Sequence, residues 1–260
     1  QLPQGVTPTS HTFKLPIGFL EHSNIDLRDS SENEWLCLQI LKAFGLPTAN
    51  ADIARFGRKS ILIVERFDRK WSSDGSWLMR LPQEDLCQAL GVAPALKYES
   101  DGGPGIQQCM KLLEGSQNAR HDRETFFKTQ LVFWLLAAID GHAKNFSLFL
   151  EPESAYRMTP LYDVISAFPL MAKGSLPPAR IKMAMSLKGR SRHYHWSRML
   201  TRHFLSTAKT AGFSPKRATA IMQETAVNTD SVIESVSALL PTEFPDKVAG
   251  PIFAGLREQA

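Results

Sequence analysis

The stretch that most constrains this chain is residues 131–163, where nine consecutive apolar residues, Leu131 to Ile139, run directly into the hexapeptide DGHAKN. An apolar run of that length must be buried, yet it is far too short to span a bilayer. The pattern predicts a long buried helix from about Arg123 to Ile139. At its end, Asp140, His142, Lys144, Asn145 and Ser147 arrive together at a junction with a strand. Two short strands are predicted next, Phe146 to Leu150 and Tyr156 to Pro160, joined by the polar turn EPESA, and Asp163 lies just past the second.

This delivery suits phosphoryl transfer, in which the protein orients a hydroxyl nucleophile and holds a divalent ion against phosphates. One carboxylate does the first job; an amide oxygen and a second carboxylate do the other, because Mg²⁺ prefers hard oxygen ligands and keeps several waters. Asp140 and Asn145 meet the D-x-x-x-x-N spacing of kinase catalytic loops, and the hairpin returns Asp163 beside them. Each residue alone has a plainer role: Asp140 with Gly141 as a helix-ending turn, Asn145 satisfying buried backbone, Asp163 capping the next helix. Taken jointly they make a candidate kinase site.

Upstream, HTFKLP alternates polar and apolar residues and reads as a short strand from His11 to Pro16 that carries Lys14, either toward nucleotide phosphates or as a solvent-facing strand-edge lysine. A helix capped by Ser30 or Ser31 follows, with Trp35, Leu38, Leu41 and Phe44 at helical spacing until Gly45 and Pro47 stop it. Its Glu34 could pair with Lys14, but a solvated carboxylate near a helix start is the commoner role. Ile53 to Phe67 is β-rich and ends in Glu65-Arg66-Phe67, placed where a kinase hinge offers backbone groups to adenine, or else simply a charged strand end. After Leu81 helices are predicted near Glu84 to Leu90, near Gly105 to Leu113, and from about Trp196 onward. KYESDGGPG has neither GxxxxGK[ST] nor a full GxGxxG, so it reads as a loop and not a phosphate cradle. Residues 1–81 are thus expected to form the remainder of a small, mainly β, nucleotide-covering lobe with its hinge, and 82–260 a helical catalytic lobe.

Three scattered cysteines, Cys37, Cys87 and Cys109, show no CxxC spacing, which argues against metal binding through cysteine and for a reducing, cytoplasmic setting. With 43% hydrophobic and 22% charged residues the chain has material for a sizeable core, and nothing in it predicts a membrane partner. It opens on Gln1 and leads at once toward a strand, so we expect sequence upstream of it in the whole protein. The net charge is +4, and its distribution is uneven: no Asp or Glu occurs between Asp163 and Glu224, against eleven Lys or Arg. Such a run is usually a solvated basic face. Its length without a carboxylate also fits a surface that neutralises nucleic-acid phosphates, with Lys188, Arg190, Arg192 and Lys209 as the expected DNA-backbone contacts.

The strings HTFKLP, VERFDR, RLPQEDLCQ, KYESDGGPGI, DGHAKNFSLFL, LYDVISAFP and LPTEFP resemble the HipA family of serine/threonine protein kinase toxins across nearly the whole chain. The resemblance implies an α+β, two-lobed kinase-like fold related to phosphatidylinositol kinases, and ATP with Mg²⁺ as cofactors. Carried over by position, it implies Asp140 as catalytic base and Asn145 with Asp163 as metal ligands. It makes Lys14, Glu65, Arg66, Phe67, His142, Ala143, Lys144, Asn145, Tyr162 and Asp163 nucleotide contacts. It also implies glutamyl-tRNA synthetase as substrate, a helix-turn-helix antitoxin as partner, and operator DNA bound through the toxin–antitoxin complex. The family's autophosphorylated serine, on a glycine-containing loop, belongs to a region outside this sequence. Two other functions fit the same residues: an antitoxin- and DNA-binding module without transfer activity, and a small-molecule kinase of the aminoglycoside type, against which the HipA-like strings count.

Overall fold

The computed structural model describes residues 8–57 and 59–260; the opening seven, over which the sequence leads toward a strand, lie outside the described residues. In chain order the first part carries β1 (His11–Lys14), β2 (Gly18–Leu20), β3 (Ile25–Leu27), α1 (Ser30–Ala43), β4 (Ala51–Phe56), β5 (Lys59–Glu65), β6 (Arg69–Trp71) and β7 (Leu78–Arg80). Strands β1, β5 and β4 form an antiparallel sheet in that spatial order, with Lys14 opposite Leu62. Strands β2–β3 and β6–β7 are separate hairpins, the second closed by the SSDGS turn.

Helix α1 packs against β4 and β5 on one side and against the C-terminal helices on the other. Enclosure on both sides buries even its polar first turns, Ser30 to Glu34, and buried polar groups must find partners. Ser30, Asn33 and Glu34 find theirs at long range, whereas Ser31 Oγ and Glu32 Oε2 have none among the described residues. The Ser30 hydroxyl accepts the Ile17 N–H at 2.9 Å, so it does not cap α1 as expected; Asp29 holds the N-cap position, without a side-chain cap bond.

The second part carries β8 (Gln83–Asp85), α2 (Leu86–Ala89), α3 (Ile106–Leu112), α4 (Ala119–Leu135), β9 (Ser147–Leu150), β10 (Tyr156–Met158), α5 (Phe168–Ala172), β11 (Lys182–Lys188), β12 (Arg192–His195), α6 (Thr201–Thr210), α7 (Pro215–Ser237) and α8 (Asp246–Gln259). A single hydrophobic core runs from Leu36 and Leu62 through Phe126, Val132 and Phe146 to Ile252 and Leu256. The three cysteines are free and buried in it. Among the described residues no helix is long and apolar enough to cross a membrane.

Two further sequence expectations are corrected, and one element was not anticipated. The helix expected near Glu84 to Leu90 is a single turn, because Gln83–Asp85 is taken up as a strand against β9 and Asp85 then caps α2 with Gln88 in a capping box. The long helix runs from Ala119 to Leu135 and not to Ile139. Ala137 adopts φ 47°, and the Ala138 N–H bonds the Phe133 carbonyl at 2.8 Å, a left-handed helix stop that leaves residues 136–139 as a turn despite their apolar character. Finally, the acid-free segment contains a hairpin, β11–β12, that the sequence did not announce. KMAMSLK is poor in β-branched residues, and its strand form comes from burial of Met183 to Leu187 and from pairing.

Candidate active site

Lys14, at the end of β1, lies 2.6 Å from Glu34 of α1 and 2.7 Å from Asp163. Glu34 is therefore a buried ion-pair partner and not the solvated carboxylate its helix-start position suggested. Burial raises its pKa even with the ammonium alongside. Burial works against the Lys14 ammonium too, but Glu34 and Asp163 together outweigh it and raise its pKa.

Helix α1 also holds the far side of the site. The Asn33 amide makes two buried bonds to Ser166, donating to its carbonyl at 2.8 Å and accepting its N–H at 2.9 Å. The segment after β10 is thus fixed to the helix that orients Lys14. Within that segment Asp163 takes φ 60°, a backbone region uncommon for a residue other than glycine. The outlier turns its carboxylate toward Lys14 and Asn145. The Asn145 Nδ2 donates to Asp163 Oδ2 at 3.2 Å, while Asn145 Oδ1 is buried without a hydrogen-bond partner. A buried orphan acceptor beside a carboxylate is what a bound hard cation would complete. Among the described residues no cluster of three or more His, Cys, Asp or Glu is placed to hold a metal. An ion held here would therefore take one amide oxygen and one carboxylate from the protein, leaving its other positions to water or phosphate.

A cleft of about 360 Å³ opens over this point, lined by Thr12, Lys14, Glu34, Val64, Glu65, Arg66, Phe67, Asp68, Gln83, Tyr162 and Asp163. It brings together the expected strand lysine, hinge and hairpin-end residues. Phe67 packs against Tyr162 at 5.7 Å and edge-on against Phe149 at 5.8 Å, making an aromatic wall. The Tyr162 hydroxyl meets Ser147 Oγ at 2.5 Å and donates to the Lys144 carbonyl at 3.0 Å, and burial pushes its pKa up to about 12. In the segment expected to be the hinge, both backbone groups of Arg66 are already used: its N–H donates to Ser10 and its carbonyl accepts from Arg69.

None of the loop residues Asp140, His142, Ala143, Lys144 and Asn145 is among those lining this cleft. Ala143 is fully buried, and the Lys144 ammonium is held by Asp85 at 2.6 Å. Asp140 is mostly exposed on the other side of the loop, where Tyr98 donates a 2.6 Å hydrogen bond to its Oδ1 and His142 Nε2 lies 3.9 Å away. Burial lowers the His142 pKa against the pull of Asp140, which favours a neutral ring. Sequence reasoning missed Tyr98 and Asp85, because nothing in local spacing ties residue 98 to 140 or 85 to 144. It also left the basic segment's cations without acidic partners. In the fold Lys173 lies near Asp26 and Asp29, Arg192 lies 3.3 Å from Glu99, and Arg217 pairs with Glu124 and Glu224. Those carboxylates come from elsewhere in the chain, or from just beyond the segment.

Fold and site together define a kinase-like α+β chain. Its coordinates superpose on the HipA chain of the Shewanella oneidensis MR-1 complex of HipA, HipB and operator DNA with TM-score 0.79, at 20% identity over 99% of this chain and 64% of that one. They superpose on the Helicobacter pylori proinflammatory kinase CtkA with TM-score 0.63, at 12% identity over 96% of this chain and 86% of that one. The chain belongs to the HipA-like C-terminal domain family, whose model matches residues 2–233. A Sinorhizobium fredii protein named "Putative kinase Y4mE" is 31% identical over 96% of this chain and 57% of its own length. The serine/threonine-protein kinase toxin HipA of Shewanella oneidensis is 34% identical over 52% of this chain and 33% of its own length. The chain thus spans just over half the length of the first relative and a third of the second over the matched stretch.

Proposed function

We propose that this chain is the catalytic part of an ATP-dependent serine/threonine protein kinase toxin. The observation that carries the reading is that Asp163 contacts both Lys14 and Asn145 at a cleft lined by Lys14 and Asp163, while the Asn145 amide oxygen is buried without a partner. In this reading Asn145 Oδ1 and Asp163 hold Mg²⁺, which supplies charge neutralisation at the phosphates when bound, and Lys14 contacts the same phosphates. The adenine end lies along Glu65 to Phe67 and Tyr162, with Phe67 the hinge residue presented, since the backbone of Arg66 is spent. The loop His142 to Asn145 closes the site from below, with Ala143 contributing backbone only. Asp140 accepts the proton of the acceptor hydroxyl.

The acceptor is a protein, and glutamyl-tRNA synthetase is the substrate we propose. The protein acts in the cytoplasm with a helix-turn-helix antitoxin, and the pair binds operator DNA as an autorepressor. The Shewanella HipA with the same fold was solved with HipB and operator DNA, which supports that partnership. Lys188, Arg190, Arg192 and Lys209 are its proposed phosphate contacts. The two-part division at residues 81 and 82, with the cleft between lobes, belongs to the same proposal.

The test is transfer of labelled phosphate from ATP to purified glutamyl-tRNA synthetase by the full-length protein and its Asp140→Asn variant. Transfer by the first and none by the second, with ATP affinity kept within several-fold, is expected, because a general base acts chiefly in the transition state. Near-normal transfer by the variant would remove Asp140 from its role. ATP binding without transfer by either form would favour the antitoxin- and DNA-binding module.

A further inference from the structure

Tyr98 makes one hydrogen bond to Asp140, and further contacts hold its ring in place. Its ring packs edge-on to His142 at 5.1 Å, and the Lys97 ammonium sits 5.0 Å from the ring centre on its face. The loop that carries it is tightly built. The N–H groups of Asp101 and Gly103 both donate to the Tyr98 carbonyl, at 3.1 and 2.9 Å. A side chain at Gly103 would overlap the Leu96 carbonyl and come within 2.7 Å of the Tyr98 carbonyl; one at Gly105 would come within 2.5 Å of the Glu99 carboxyl carbon. The glycines of KYESDGGPG serve close packing around Tyr98 and Glu99, which is a specific form of the loop role expected from sequence.

The next residue anchors the loop. Glu99, whose side chain is only 9% exposed, accepts the Ser186 N–H at 2.6 Å and the Ser186 hydroxyl at 2.9 Å, and pairs with Arg192. Ser186 belongs to β11. Two residues earlier on that strand, the Ala184 N–H donates to the Ile139 carbonyl at 3.0 Å, immediately before Asp140. One strand therefore grips both sides of the Tyr98–Asp140 contact, holding the base through residue 139 and the phenol through residue 99. The result is an Asp140 carboxylate with Oδ1 fixed by the phenol and Oδ2 accepting no hydrogen bond among the described residues.

We infer that Tyr98 is a positioning residue that fixes the Asp140 carboxylate so that Oδ2 faces the acceptor hydroxyl, and that Glu99 and strand β11 set its distance. This rests on Asp140 being the catalytic base. Chemistry of this kind is sensitive to angstrom-scale placement, because proximity and orientation supply much of the barrier reduction. Tyr98 lies outside the nucleotide cleft, so its effect belongs to kcat and not to ATP binding.

The experiment uses the full-length protein, labelled ATP, casein and glutamyl-tRNA synthetase as acceptor probes, and calorimetry with Mg-ATP. Tyr98→Phe keeps the ring and its packing and removes only the hydroxyl. It is expected to lower kcat by about tenfold or more, with KM for ATP and calorimetric affinity changed by less than about twofold. Glu99→Gln should shift kcat in the same direction. A merely structural role would move ATP affinity and thermal midpoint along with kcat, and that pattern overturns the inference. So does Tyr98→Phe turning over at the wild-type rate or faster, which would make the phenol a bystander or a block. Wild-type protein that binds Mg-ATP but labels neither acceptor, or that binds no Mg-ATP, overturns the kinase reading and the positioning role together. Normal wild-type transfer with an unaffected Tyr98→Phe overturns only the latter.

Discussion

Lys14 and Asp163 lie 149 positions apart in the chain and meet at 2.7 Å, with Glu34 on the other side of the same ammonium. The contact joins β1 to the segment after β10, and its geometry is set by α1, which contributes Glu34 to the lysine and the neighbouring Asn33 to Ser166.

Asp163 is the residue whose loss should discriminate metal from nucleotide. With Asp163→Asn, affinity for Mg-ATP should fall far more than affinity for ATP in chelator, because on the proposed reading the variant removes a hard anionic ligand and keeps the shape. Paired calorimetric titrations measure this; equal losses would mean that the residue only shapes the turn at φ 60°.

Glu34 gives a pH signature whose sign is fixed by its burial. Its folded pKa stands above the ordinary 4.5, so the native state takes up this proton more readily than the unfolded chain. Its contribution is then fully present below pH 4.5 and declines as pH rises through the folded pKa. Glu34→Gln lacks that term. Urea midpoints of the two proteins, compared from pH 4.5 to neutrality, should diverge in favour of the glutamine variant as pH rises. A constant difference would mean that Lys14 holds Glu34 ionised throughout.

Gly141, between the candidate base and His142, has no room for a side chain, since a Cβ there would overlap the Phe133 ring. Gly141→Ala should destabilise the protein by about 1–3 kcal/mol, the usual cost of forcing an extra carbon into a packed core. It should also displace Asp140, so kcat should fall with stability. An unchanged denaturation midpoint would show that Phe133 moves aside freely.

The basic segment makes a prediction about salt. Replacing Lys188, Arg190, Arg192 and Lys209 together with Ala should weaken the proposed toxin–antitoxin–DNA complex and leave operator preference unchanged, since cations on the phosphate backbone position a protein without reading sequence. The slope of log affinity against log salt should flatten by about 0.9 for each DNA phosphate that the variant leaves unneutralised. Because Arg192 also pairs with Glu99, Lys188, Arg190 and Lys209 should account for most of the salt effect, and Arg192→Ala alone for any change in kcat. An unaltered slope in the quadruple variant would return the segment to a solvated face.

Some of this was legible in the residues themselves. The hairpin after DGHAKN and the strand around Lys14 depend on local patterning, which survives in any window of sequence, and the fold places both close to where that patterning put them. The long helix was legible in kind but not in extent, because its end is set by one left-handed alanine and a Phe133–Ala138 hydrogen bond. Nothing local could show that Glu34 would be buried against Lys14, that a strand of methionines and alanines would form at 182–188, or that Glu99 would reach into the acid-free segment. Those outcomes depend on which surfaces the rest of the chain covers. Burial raises the free-energy cost of an unpaired charge or backbone group until a distant partner must be found, so the sequence named the chemistry-bearing groups and tertiary packing decided whom each of them faces.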